Sequence, residues 1–371
     1  MPDFPIPVSV ITGFLGAGKT TLLNRLLKDS ALADAAVIIN EFGDVAIDHL
    51  LVEKSSDGVI QLADGCLCCT VRGDLVDTLA DLVERLQTGR IPGLSRVVIE
   101  TTGLADPVPV MQAIMGHPVL VQAYRLDGVV TLVDALHADS TLDQHVEAVK
   151  QVAVADRLVV TKTDLAEDRS ALLALHRRLR DLNPRAAMLD ASDARAGATE
   201  LIRCGLYDPA TRTADVRRWL GEEAEAAAEH RHHDHADHDH GHHHGRHDER
   251  VRTLSLRHDR PLPFEAVAMF LDLLISQHGD RLLRLKGIIE TVDRPATPLV
   301  VHAVQSLLHP PAWLPSWPDE QRGTRLVLIG IDLPEEYVRK LFAATVGIPS
   351  VDTPDRAALA ENPLAISGYR G

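Results

Sequence analysis

No stretch of this 371-residue sequence runs apolar for the roughly eighteen residues that a membrane-crossing helix needs. Its opening residues, Met1–Pro7, lack the basic and apolar regions of a secretion signal, so a cytoplasmic location is expected. Positive charge is in short supply. Lys and Arg number 38 against 53 Asp and Glu, a formal net charge of −15, and nonspecific nucleic-acid binding needs the opposite balance. Neither nucleic acid nor a membrane is expected as a partner. Cysteine is scarce too. Four in a long intracellular chain make no disulfide framework, yet three of them crowd into Cys66, Cys68 and Cys69. In a reducing compartment that crowding points to metal or catalysis. Histidine is the reverse case: there are 19, and ten fall between His230 and His247.

The first half alternates short Val/Ile-rich runs with helical stretches. Strands are expected at Val8–Thr12, Ala36–Asn40, Arg96–Glu100, Gly128–Val133 and Arg157–Thr161. Continuous apolar runs of this length are the mark of buried parallel strands, so the expectation is an α/β fold, a P-loop NTPase domain with a doubly wound, mostly parallel sheet. Asp74–Gln87 carries Leu75, Leu79, Leu82, Val83 and Leu86 at helical spacing. The domain is drawn as residues 1–220. Residues 221–250 include the His-rich tract and have almost nothing apolar to bury, which predicts a flexible linker. A smaller α+β domain is expected over 251–350, followed by a tail at 351–371. Its strands are read at Val251–Leu256, Leu283–Glu290, Leu299–Val304 and Thr324–Ile331, and its helices at Pro263–Ser276 and Pro334–Ala344. The Pro-rich stretch His309–Pro318 is read as an exposed loop.

The strongest motif is Gly13-Phe-Leu-Gly16-Ala17-Gly18-Lys19-Thr20, which follows the first strand and precedes an apolar helix at Thr21–Leu27. That strand–loop–helix setting is what the phosphate-loop pattern requires. Glycines let backbone N–H groups turn inward around phosphates, and the helix N-terminus favours negative charge. Lys19 is expected to neutralise the β- and γ-phosphates and Thr20 to ligate Mg²⁺; Gly13, Gly16, Ala17, Gly18 and Thr21 complete the nucleotide cradle.

Arg96-Val-Val-Ile-Glu100-Thr-Thr-Gly103 places an acidic residue at the C-terminal end of a buried strand, where ligands gather in open α/β sheets. Glu100 there can hold Mg²⁺ through a water or orient the attacking water; a structural role is the alternative. Thr161-Lys162-Thr163-Asp164 ends a later strand. The Asp164 carboxylate can accept from guanine N1–H and N2–H₂, and adenine has no donor at N1, so GTP is preferred to ATP. Thr161 stands where Asn is usual, and a hydroxyl supplies only part of what an amide does.

Gly65-Cys66-Leu67-Cys68-Cys69-Thr70 offers soft thiolate ligands suited to Zn²⁺ or Cu(I). In an extended segment Cys66 and Cys68 share a face and Cys69 points away. Two or three sulfurs leave room for another ligand, which suits a carrier better than a permanent structural zinc. A redox pair and simple packing remain alternatives.

These motifs, together with Asn40-Glu41-Phe42-Gly43-Asp44 and, further on, Arg284-Leu-Lys286-Gly287 and Leu326–Gly330, occur in the order seen in the CobW-like metallochaperone GTPases. The sequence resembles that group, which is related to the nickel-insertion GTPases of urease and hydrogenase, over nearly its whole length. The resemblance implies a GTPase that binds Zn²⁺ or Co²⁺ at the cysteines and delivers it to a client metalloprotein. It also implies that Glu41 or Asp44 approaches Mg²⁺ or the transferred metal. Thr102 and the stretch after Gly103 depart from the cobalt-associated members, which turns the reading towards zinc and away from delivery to cobalamin synthesis. Oligomeric state stays open, with nucleotide-dependent homodimers common in the group. A metal-storage or sensing protein with a slow regulatory GTP site is the competing function.

The His230–His247 tract interleaves imidazoles with Asp and Gly and can buffer Zn²⁺, Ni²⁺, Cu²⁺ or Co²⁺; a merely solvated linker is the plainer reading. Cys204, His117, His145, His176, Trp313 and Trp317 are read as structural.

Overall fold

In a computed structural model of the chain, the described residues are 5–32, 34–39, 59–61, 71–193, 197–202 and 250–347. The first unit runs β1 (Ile6–Gly13), α1 (Lys19–Leu26), β2 (Ala35–Ile39), β3 (Val59–Gln61), α2 (Val71–Gln87), β4 (Arg96–Glu100), α3 (Val108–Gly116), β5 (Tyr124–Asp134), α4 (Ala138–Gln144), α5 (Val146–Ala153), β6 (Arg157–Thr161), α6 (Arg169–Leu182), β7 (Ala187–Asp190) and α7 (Ala198–Ile202). Its seven strands lie in the order β3-β2-β4-β1-β5-β6-β7, and every pairing among the described residues is parallel.

Both faces of this sheet are covered, which is why its strands read as unbroken apolar runs rather than as alternation. Val8, Val10, Ile38, Val97 and Ile99 face one core, with Leu79 of α2, Met111 of α3, Val149 of α5 and Leu179 of α6. Ile11, Val37, Ile39 and Val98 face the other, with Leu22 and Leu23 of α1 and Leu201 of α7. The sheet is doubly wound. β1 sits at its centre, so the loop leaving β1 emerges between the ends of β4 and β5.

The second unit comprises β8 (Val251–His258), α8 (Phe264–His278), β9 (Leu282–Ile289), β10 (Leu299–Val304), β11 (Leu307–Leu308), β12 (Ala312–Trp313), β13 (Thr324–Ile331) and α9 (Glu335–Thr345). Its sheet is antiparallel in the order β11-β10-β9-β13-β8, with β12 added beside β10. Helices α8 and α9 cover one face through Phe270, Leu271, Leu274, Val338 and Phe342; the Phe270 and Phe342 rings meet edge-on with centroids 5.4 Å apart. The region expected as an exposed Pro-rich loop is only partly one. Ala312 and Trp313 pair with Val300 and Leu299, Leu314 is fully buried against Ile288, and Trp317 Nε1 donates to the Pro295 carbonyl at 2.8 Å. Proline removes donors from this segment, but the apolar side chains between the prolines still find a sheet to cover.

The two units share a buried boundary. Val251, Leu283, Val304 and Ile329 of the second sheet join the first unit's larger core. At its centre, Asp156 opens β6 and accepts from Arg284 Nη2 at 2.6 Å and from Lys286 Nζ, while Arg284 Nη1 donates to the Val154 carbonyl. Burial alone would raise the Asp156 pKa, but Arg284 and then Lys286 outweigh it and hold the carboxyl well below its usual range. His302, on β10 opposite Lys286, is pushed down to about 4 by burial, against the pull of Asp156.

Candidate nucleotide-binding site

The loop after β1 adopts the backbone that its glycines were expected to serve. Gly13, Gly16 and Gly18 have φ of 141°, 75° and 90°, a region costly for residues with a Cβ. A Cβ on Gly13 would also sit 2.5 Å from the Leu132 carbonyl oxygen of β5. Gly18 caps α1 without a side-chain bond, so the helix N-terminus opens onto the loop, an arrangement that favours an anion. Lys19 Nζ donates to the Gly13 and Phe14 carbonyls at 3.0 and 3.3 Å.

Parallel pairing of β1 and β4 sets Glu100 opposite Ile11, two residues before Gly13 begins the loop motif. Glu100 is buried, and its Oε1 accepts from Thr20 Oγ1 at 3.5 Å. These two oxygens suit a hard cation such as Mg²⁺ that retains several waters. The neighbouring hydroxyls are locked as well, with Thr101 Oγ1 and Thr12 Oγ1 2.7 Å apart. Gly103 is required by close approach: a Cβ there would stand 2.7 Å from the Leu15 backbone nitrogen.

Thr161 ends β6, and its hydroxyl is engaged with the main chain, donating to Ala17 at 2.9 Å, with Val133 O at 3.3 Å as a second acceptor. It acts as a tie between the loop, β5 and β6. Lys162 follows at φ 59°, a left-handed conformation seldom taken by a side-chain-bearing residue. Its Nζ pairs with Asp134 Oδ2 at 2.7 Å, and Asp164 is exposed on the turn beyond. Burial raises the Asp134 pKa, but the bonds from Lys162, the Leu136 amide and His137 outweigh it, so the carboxyl stays ionised below the ordinary range.

Two supports of this turn escaped the sequence reading. Asp134 closes β5, and Asp190 closes β7, where its Oδ1 accepts from Thr163 Oγ1 at 2.8 Å and from Ser192 N and Oγ at 2.8 and 2.7 Å. Asp190-Ala-Ser192 is an Asx-turn pattern, a signal available in the sequence. Thr21 lies exposed on the first turn of α1. Beside the loop a cleft of about 280 Å³ is lined by Phe14, Leu15, Asp134, His137, Gln151 and Lys162, among others. His145, read as isolated, stacks on Phe14 at 4.5 Å between centroids.

Residues 7–190 match the family description "CobW/HypB/UreG, nucleotide-binding domain", and residues 251–346 match "Cobalamin synthesis protein cobW C-terminal domain". The zinc chaperone YjiA of Escherichia coli K12 is 37% identical over 339 residues, covering 91% of this chain and 98% of that protein. The chain belongs to the CobW/HypB/UreG family. The zinc chaperone CobW of a Sinorhizobium species is 33% identical over 377 residues, covering 92% and 97%. The crystal structure of Zn(II)-bound YjiA GTPase from E. coli aligns with a TM-score of 0.66 at 31% identity, over 93% of this chain and 99% of that one.

As a member of the CobW/HypB/UreG family the chain carries the nucleotide-binding fold just described. Cys66, Cys68 and Cys69, with Asn40, Glu41 and Asp44, lie outside the described residues, as do Cys204 and the His230–His247 tract. Among the described residues no group of three His, Cys, Asp or Glu side chains is placed to hold a metal ion. No described helix is long and apolar enough to cross a membrane.

Proposed function

We propose that the protein is a cytoplasmic GTP-hydrolysing carrier that binds zinc at Cys66, Cys68 and Cys69 and passes it to a client metalloprotein. What carries the reading is one chain with a built phosphate site, Thr20 within 3.5 Å of Glu100, that matches proteins named zinc chaperones over nine-tenths of its length.

The nucleotide's phosphates enter at the N-terminus of α1. Lys19 there exchanges two neutral carbonyls for charged oxygens, a stronger class of bond. Asp164 accepts from guanine N1–H and N2–H₂, and Lys162 is held beside it by Asp134. Thr20 and Glu100 hold Mg²⁺, which supplies charge neutralisation at the β- and γ-phosphates. Glu100 also orients the attacking water. Zinc is the cargo, and Glu41 or Asp44 approaches Mg²⁺ or the transferred metal, a role that rests on resemblance to the family. Loss of the γ-phosphate withdraws contacts from the segments on either side and weakens the thiolate site, so release follows hydrolysis.

The test is a zinc titration of metal-free protein against a competing chelator, first with GDP and then with a non-hydrolysable GTP analogue and Mg²⁺. Zinc should bind more tightly with the analogue, and Cys66→Ser or Cys68→Ser should abolish the difference. Linkage requires zinc to tighten the analogue by the same factor. Equal zinc affinity in both nucleotide states would overturn the coupled carrier.

A further inference from the structure

Helix α5 is eight residues long and is held at three levels by three different parts of the molecule. At its start, His145 stacks on Phe14 of the phosphate loop. In its last turn, Gln151 is 1% exposed, and its Nε2 donates to the Gly103 and Ala105 carbonyls at 3.2 and 2.9 Å. The Lys150 ammonium beside it pairs with Asp106 Oδ2 at 2.9 Å. Gly103, Ala105 and Asp106 belong to the loop that follows Glu100, and Gly103 lies against Leu15. At its end, the Val154 carbonyl accepts from Arg284 of the second domain, whose other nitrogen pairs with Asp156 two residues on.

A helix is stiff along its axis, because each turn is bonded to the next. The Val154 carbonyl is fixed to the second domain, its neighbours Val152, Ala153 and Ala155 to Asn183 of the first, and the Lys150 and Gln151 side chains to the loop after Glu100, so their positions depend on each other. A second contact runs in parallel. Gln112 of α3, the helix launched from the same loop, donates to Gln305 of the second domain at 3.1 Å.

We propose that α5 is the element through which the second domain sets the position of the loop after Glu100, with Gln151 and Lys150 as its positioning residues. The inference rests on the GTPase reading only for its kinetic readout. Gln151 also lines the cleft beside the phosphate loop; the role assigned to both residues is to place the carbonyls and the carboxylate that keep Thr101–Gly103 beside the γ-phosphate edge.

The experiment combines Gln151→Met, Arg284→Met and their double variant in the full chain. Both singles should lower kcat for GTP by about ten- to a hundredfold, the range that a misplacement of about 1 Å costs, with KM changed less than about twofold. The double should be no slower than the slower single, because both cut the same connection. Hydrogen exchange of the amides of residues 101–106 should speed up in each single variant, including Arg284→Met, whose side chain lies in the other domain. Lys150→Met should behave like Gln151→Met, and Lys150→Arg should restore turnover by keeping the pair with Asp106. Should Arg284→Met not fold, Arg284→Lys keeps the charge against Asp156 and gives up the bond to Val154, and the same comparison applies. Exchange at 101–106 unchanged by the Arg284 variant, or independent multiplication of the two kinetic losses, overturns the inference. A wild-type chain without GTP turnover overturns the functional reading instead, and the exchange comparison then decides this one by itself.

Discussion

The Thr161 hydroxyl donates to the Ala17 carbonyl at 2.9 Å, bonding the strand that leads to the proposed guanine-reading turn directly to the phosphate loop. The hydroxyl has a single hydrogen, and here the main chain receives it. Thr161→Val keeps the side-chain shape and leaves buried carbonyls without that donor, at a cost of about 1–3 kcal/mol. Affinity for GDP and GTP should fall together, by about fivefold or more, while their ratio is preserved. Calorimetric titration of both nucleotides checks this, and a loss confined to GTP would contradict a tie that serves the whole loop.

With Thr161 so engaged, Asp164 is the residue to which the proposed function assigns discrimination of the base. Asp164→Asn replaces a double acceptor by an amide that donates on one side, which matches the carbonyl at C2 of xanthine. Preference for GTP over xanthosine triphosphate should drop by about a hundredfold. A competition assay with the two nucleotides decides it; an unchanged ratio would place base recognition elsewhere.

Gly103 approaches the phosphate loop so closely that a Cβ would lie 2.7 Å from the Leu15 nitrogen and 2.9 Å from its Cα. These are backbone atoms and cannot swing aside. Gly103→Ala should separate the two loops and lower GTP turnover at least about tenfold, with a loss of stability of about 1–3 kcal/mol from overpacking. Urea unfolding beside single-turnover hydrolysis separates the two effects. Wild-type turnover in Gly103→Ala would mean that the loops work at a wider spacing.

His302 makes the molecule sensitive to mild acid. An unfolded histidine protonates near 6.5 and the folded one at about 4. Between those values the unfolded chain holds more protons, so this contribution is fully present above pH 6.5 and is lost as pH falls towards 4. The slope is at most about 1.4 kcal/mol per pH unit. Asp156, depressed in the fold, has the same sign but acts only below the ordinary carboxylate range. Denaturant midpoints at pH 7 and pH 5 should diverge less in His302→Gln than in the wild type; parallel shifts in both would rule out this histidine as the source.

Much of the fold was legible because buried strands announce themselves. Arg96–Glu100, Arg157–Thr161, Leu299–Val304 and Thr324–Ile331 are found with the expected ends, each an apolar run covered on both faces. Helices α3, α4, α5 and α6 were not read: α3 is apolar on most sides, and α4 and α5 are short and follow one another across His145 alone, whereas α6 carries Leu175, Leu179 and Leu182 at helical spacing. The phosphate loop was legible because glycine spacing encodes backbone geometry directly. Asp134 and Gln151 were not, because their partners lie far along the chain or in main-chain carbonyls, which no motif spells; for Asp190 the Asx-turn to Ser192 is visible in the sequence, but its bond to Thr163 is not. The cysteine site rests on spacing and family alone.

The Asp156–Arg284–Lys286 contact also bears on how the two domains stay together. Pulling them apart would expose Val251, Leu283, Val304 and Ile329 to water and break the ion pairs of Asp156 with Arg284 and Lys286, whose charges water would then solvate. The adhesion is built into the facing surfaces themselves, so the two folds behave as one body by contact and not by tethering.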